Sequence, residues 1–247
     1  MLPLADPVYI RDEVARLVER LEDAREDARW AASGHEPSEQ RRLTDALANV
    51  LDALQQRERG TQMASGEPEP TLGDLGDHAI DLLARLAEIA GRMQLSDEAD
   101  ALYQLTLPLA CCVARGGGEL THIGPVVNAA AALANALRDP AEVALLFRMT
   151  DDVFHAVSPR ISDAQAGSEA ERTWRVLIIN RAVIATRTQQ PTLMQSAFDT
   201  LVELAPSDAA GFFREGMEQM DALDYPLQVR TVMQRYYDAH GGDRRLH

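Results

Sequence analysis

Residues 168–187 read SEAERTWRVLIINRAVIATR. Ser168 and Glu171 stand in the Ser-x-x-Glu pattern of a capping box, where a hydroxyl and a carboxylate each accept from an otherwise orphaned backbone N–H. Trp174, Leu177, Ile178 and Ile184 follow at helical spacing. From Trp174 to Ala185 apolar residues fall on nearly every side, so this helix is expected to be central. Asn180 and Arg181 interrupt the run, and Arg187 lies about two turns beyond Asn180. A buried Asn or Arg is costly unless its hydrogen bonds are made. These residues therefore either join neighbouring helices or face a ligand.

An upstream stretch echoes this one. Val126-Val127-Asn128-Ala129-Ala130 and Ile178-Ile179-Asn180-Arg181-Ala182 each hold two β-branched residues, Asn, one variable residue and Ala. Each opens what reads as a helical hairpin. Around them the pattern continues in both directions. Asp6-Pro7 starts a helix whose Ile10, Val14, Leu17, Leu21, Ala24 and Ala28 form a heptad seam. It ends near Ser33-Gly34. A partner from Pro37-Ser38 carries Leu43, Leu47, Val50 and Leu54 on one stripe. Residues 1–60 thus read as a hairpin that either packs on the rest of the chain or pairs with its copy in a homodimer. Residues 61–73, rich in Gly and Pro, read as a linker.

Residues 74–247 read as a helical-repeat domain with hairpins starting near 74, 121, 169 and 208. Ser96 caps a helix that Pro108 should kink or divide and Gly116-Gly117-Gly118 ends. Pro125 starts an Ala-rich helix reaching Leu137. Asp139-Pro140 restarts the chain, Ser158-Pro159 stops it, Pro191 opens another helix, Ser207 caps the next, and Gly241-Gly242 closes the last. The expectation is an all-α chain of about ten helices in consecutive antiparallel hairpins, stacked in chain order. A single compact helix bundle is the alternative.

Some residues resemble tetratricopeptide-type repeats. Phe198 fits their large aromatic position and Pro206 their terminal proline. Phe212 fits the early aromatic of the next unit and Gly216 its small contact residue. Leu86-Ala87, Ala90, Ala99 and Tyr103 follow a similar spacing upstream. Met194 and Leu201 stand where that family has small residues, and Arg181 where it has Leu. The resemblance implies an α-α superhelix whose concave face binds peptides.

The charge narrows the partners. Against 39 acids stand 24 bases, a net −15, and such a field repels phosphate backbones and anionic lipid. Neither nucleic acid nor membrane is an expected partner; a protein or peptide is. Residues 61–170 carry 16 acids and 6 bases, whereas residues 171–247 carry 10 and 9. Every base is Arg, which fits a GC-rich bacterial genome or a salt-adapted source. It also excludes a P-loop Lys, a Schiff-base Lys and a Lys nucleophile. The N-terminus lacks the basic start and apolar run of a signal peptide, so a cytoplasmic location is expected.

No cofactor and no catalytic residue is expected. Gly116–Gly118 precedes Glu119, which would repel a phosphate, and no Gly-x-Ser-x-Gly elbow occurs. Adjacent Cys111-Cys112 lacks zinc-site spacing and reads as small apolar filler. The candidate partner-binding residues are Asn128, Asn135, Asn180, Arg181 and Arg187. Asn offers both a donor and an acceptor to a peptide bond, and Arg can clamp a carboxylate. A metal alternative rests on Glu119-x-x-His122 and Asp152-x-x-His155, each read as an acid and an imidazole one helical turn apart, as in carboxylate-bridged metal bundles.

Overall fold

A computed structural model describes residues 2–27, 37–58, 70–223 and 225–241. Twelve helical segments follow in chain order: α1 (Pro7–Asp27), α2 (Pro37–Glu58), α3 (Leu72–Arg92), α4 (Ser96–Gln104), α5 (Thr106–Arg115), α6 (Gly124–Ala136), α7 (Pro140–Ala156), α8 (Pro159–Ser162), α9 (Glu169–Arg187), α10 (Pro191–Leu204), α11 (Pro206–Ala222) and α12 (Leu227–His240). Among the described residues there is no strand. One isolated parallel bridge joins Leu120 to Val157, with Leu120 donating to the carbonyl of Ala156 and Ser158 donating back to that of Leu120.

The segments exceed the expected ten for two physical reasons. Pro108 lacks the N–H that would continue a ladder, and the helix breaks three residues earlier, at Leu105, into α4 and α5. Pro159, expected only as a stop, also begins the single turn α8. Pro at a first turn costs nothing there, and Pro125, Pro140 and Pro191 likewise stand at helix starts.

Several boundaries shift. The third helix starts at Leu72, inside the expected linker. Thr71 and Asp74 form the full capping box there, which holds the Asp74 carboxyl below its ordinary range. The box expected at Ser168 forms by half: Ser168 Oγ accepts from Glu171 N, but the Glu171 carboxylate accepts from Gly167 N instead. Ser207 caps nothing, because α11 already begins at Pro206. The stop at Ser33-Gly34, linker residues 61–69 and Gly242 lie outside the described residues.

Most helices pack on others near them in the sequence. α2 lies on α3, α3 on α4 and α5, α5 on α6 and α7, and α9 on both α6 and α7. α10 lies on α9, and α11 and α12 both lie on α10. Ile10, Val14, Leu17 and Leu21 of the heptad seam and Leu43, Leu47, Val50 and Leu54 of the α2 stripe are buried within the same chain, Ala24 is half-buried, and Ala28 lies outside the described residues. α1 also meets α4 and α5, so the hairpin packs on the rest of the chain. No helix of the described residues is long and apolar enough to cross a membrane.

Candidate interaction surface

The heart of the site is α9, which lies among α6, α7 and α10. Successive residues on a helix stand about 100° apart, so Asn180 and Arg181 face different ways. Arg181 shares the inward stripe with Trp174, Ile178 and Ala185 and is 3% exposed. Its Nε donates to Asp151 Oδ1 of α7 at 2.7 Å, and its terminal nitrogens donate to Thr200 Oγ1 and Ser196 Oγ of α10. Its guanidinium lies over Phe147 and Phe154, 5.2 and 5.0 Å from the ring centroids. Planar, permanently charged Arg suits this place, where two π-systems and several acceptors lie against one guanidinium. Arg181 therefore ties α7, α9 and α10 together inside the molecule.

Asn180 belongs to another stripe, with Val176, Val183 and Arg187. Asn180 is half-buried, and its Nδ2 donates to the carbonyl of Val127 in α6 at 3.2 Å. One terminal nitrogen of Arg187 donates at 2.7 Å to the carbonyl of Leu137, the residue that ends α6. A cation there also meets the negative end of the helix dipole. Between these polar ties Val176 and Val183 remain 43% and 38% exposed. Sequence reasoning missed them, because an all-round apolar helix was expected to be covered on all sides.

On α6 the residues Asn128, Ala132 and Asn135 share one exposed stripe. Asn128 Nδ2 donates at 3.3 Å to the hydroxyl of Tyr103 in α4. The buried side of α6 is Val126, Val127, Ala129, Ala130, Leu133 and Ala134, and its three alanines let neighbours come close. The outward stripes of α6 and α9 thus lie side by side and are pinned by Asn180 and Arg187. Four of the five candidate residues sit on or between these stripes; Arg181 points the other way.

Beyond α9 the wall opens. Arg175 grips Asp208 of α11 with two hydrogen bonds, at 2.9 and 2.6 Å, near the start of both helices. Toward their ends the helices part around a hollow of about 210 Å³. Val183, Thr186 and Arg187 form one side, and Phe212, Gly216, Met220, Leu223, Tyr225 and Met233 form much of the other.

The metal alternative fares differently. The segment carrying Glu119 and His122 is not helical: α5 ends at Arg115 and α6 begins at Gly124. One-turn spacing therefore does not join that pair, which corrects the sequence reading. Glu119, Asp152 and His155 do border one hollow of about 570 Å³ with Arg115, while His122 lines another. Asp152 accepts from Arg115 Nε at 2.8 Å, Glu119 accepts from Ser158 Oγ, and His155 Nδ1 meets the Asp151 carbonyl. Among the described residues no three His, Cys, Asp or Glu side chains gather closely enough to hold an ion. Cys111 is buried, its thiol donates to the carbonyl of Met149, and burial pushes its pKa far above the ordinary thiol range.

No protein-family model, curated protein or solved structure matches this chain.

Proposed function

We propose that the chain is a non-enzymatic interaction scaffold, built as a tetratricopeptide-like stack of helical hairpins, that receives a peptide or protein on the α6–α9 wall. One observation carries this reading. Exposed Asn128, Asn135, Val176 and Val183 lie on adjacent helices whose positions are fixed by the ties from Asn180 and Arg187. A wall held before binding loses little further entropy when a ligand arrives. Its Asn side chains offer donors and acceptors to a peptide backbone. Its Val side chains offer apolar contact, and the net charge of −15 favours a basic partner.

The test is a selection from a displayed library of random peptides, followed by titration of the winners against the wild type, Val176→Asp and Asn135→Ala. Val176 and Asn135 are exposed, so the variants should melt with the wild type. Peptides rich in Arg or Lys around an apolar residue are expected. Their affinity should fall about tenfold or more on Val176→Asp, since a carboxylate replaces an apolar contact. A selection without winners, or winners that bind Val176→Asp equally well, overturns the reading.

A further inference from the structure

The α11–α12 end carries apolar surface that the wall does not use. Leu223 is 64% exposed and Leu227 is 80% exposed, the two highest values among the exposed large hydrophobic residues described. They flank the turn between the helices, and Leu223 and Tyr225 also border the hollow shared by α9, α11 and α12. The hollow is deepened by Gly216, where a Cβ would come within 2.7 Å of Met233 Sδ. Thioether side chains such as Met220 and Met233 adapt their shape to what enters. At about 210 Å³ the hollow has room for a leucine side chain against Phe212, Met220 and Met233, with Arg187, Glu215 and Gln219 also lining it.

Charge decides what can cover this end. Two copies of a chain with net −15 repel each other over most of their surfaces. Residues 171–247 are the exception, with 10 acids against 9 bases. Both signs occur at the hollow itself, where Arg187 and Glu215 line it, and on the α11–α12 helices Asp221 pairs with Arg230 at 2.6 Å. A two-fold contact presents the same patch from both sides, so it needs both signs and both a knob and a socket within one patch. Leu227 stands two residues beyond Tyr225, a wall of the socket.

We infer that the chain self-associates through this end, each copy seating Leu227, flanked by Leu223, in the Met220–Met233 hollow of the other. The contact is small, so the dimer is transient, at the low end of interface size. The socket takes Val183 and Arg187 from the wall, but Leu227 itself is no part of the wall, so its substitution separates self-association from peptide capture.

Sedimentation of the full chain from low micromolar to near-millimolar concentration tests it, at low and high sodium chloride. A monomer–dimer equilibrium that tightens with salt is expected, because salt screens the mutual repulsion and leaves the apolar contact intact. Leu227→Asp should raise the dissociation constant about a hundredfold, because the substitution enters a two-fold interface twice. Leu227 is exposed, so thermal melting and peptide capture by the wall should be unchanged. A chain that stays monomeric throughout, a dimer loosened by salt, or a dimer that Leu227→Asp leaves intact each overturns the inference. A dimer weakened by Val8→Asp instead would place the contact on the N-terminal hairpin.

Discussion

The α3–α6 half and the α9–α12 half solve the same packing problem with different side chains. α3 packs through Ile80, Leu82, Leu83, Leu86 and Ile89 along most of its length, but at its start the contacts are made by glycine and backbone. Gly73 lies so near the chain at Glu119 that a Cβ would come within 2.2 Å of its carbonyl oxygen, and at Gly76 a Cβ would meet Val113 Cγ2 at 2.5 Å. Around α11 and α12 the contacts are aromatic and thioether. Phe198 lies edge-on to Phe212, Phe213 and Tyr236, with centroids 5.2–5.5 Å apart, and Met220 and Met233 fill the remainder. Small residues let backbones approach closely where they meet and leave nothing there that can rotate away. Large ones hold helices apart and leave a hollow whose walls can move. Both surfaces proposed to bind follow from this difference: the rigid wall needs the close α6–α9 approach, and the socket needs the gap beside α11.

Removing the residue that ties α7 to the α9–α12 half should have the largest effect. Arg181→Ala deletes the tie between α7 and α10 and leaves Asp151 without its cation, while the gap between Phe147 and Phe154 loses its filling. Breaking a buried pair costs about 3–5 kcal/mol. The Asp151 side chain is 33% exposed, so solvent recovers part of the loss and the lower bound, about 3 kcal/mol, is expected. Urea unfolding measures it. A double-mutant cycle with Asp151→Ala should show that the two losses are not additive. Additive losses would mean that packing against the two rings, rather than the ion pair, carries the effect.

The glycine side of the comparison ranks second. In Gly73→Ala the new methyl meets a backbone carbonyl, which cannot rotate away, so α3 or the loop at Glu119 must shift. Overpacking costs about 1–3 kcal/mol, partly offset by the better helix propensity of Ala, worth up to about 1 kcal/mol. A net loss near 2 kcal/mol is expected in urea unfolding. A smaller loss would show that the loop yields and that this half is less rigid than its contacts imply.

What the sequence revealed and what it hid divide along the same physical line. Helix starts were legible because Pro, Ser and Asp act locally: Pro7, Pro37, Pro140 and Pro191 all stand at first helical positions. The break before Pro108 was legible for the same reason. The fate of Arg181 was only half legible. Its position on the stripe of Trp174, Ile178 and Ala185 marks it as inward, but neighbouring Asn180 made the two look like one polar feature. Its partners Asp151, Ser196 and Thr200 belong to other helices, and no local pattern points to them. The one-turn reading of Glu119 and His122 failed because i,i+3 spacing means proximity only where the chain is helical. Exposed Val176 and Val183 were hidden because composition cannot tell a covered face from one left open. The hollow beside α11 was hidden too, since it depends on how far two helices separate.

Gly216→Ala gives the smallest effect and sharpens the comparison most. Its added methyl would also clash, at 2.7 Å from Met233 Cε and Sδ, but these are the free end of a side chain with three rotatable bonds. Met233 is 1% exposed, and the open space beside it is the hollow itself. The thioether can turn into that space, so the clash is relieved without moving a helix. Gly216 lies in the interior of α11, where replacing Gly by Ala gains up to about 1 kcal/mol. The expected result is a protein as stable as the wild type or about 0.5 kcal/mol more stable, the opposite sign to Gly73→Ala for the same chemical change. The displaced Met233 then occupies part of the socket, so the same variant should weaken self-association although it improves the fold. A loss of stability at Gly216 matching that at Gly73 would mean that the methionine wall is as fixed as the glycine contact. The distinction between a rigid half and an adaptable half would then fall.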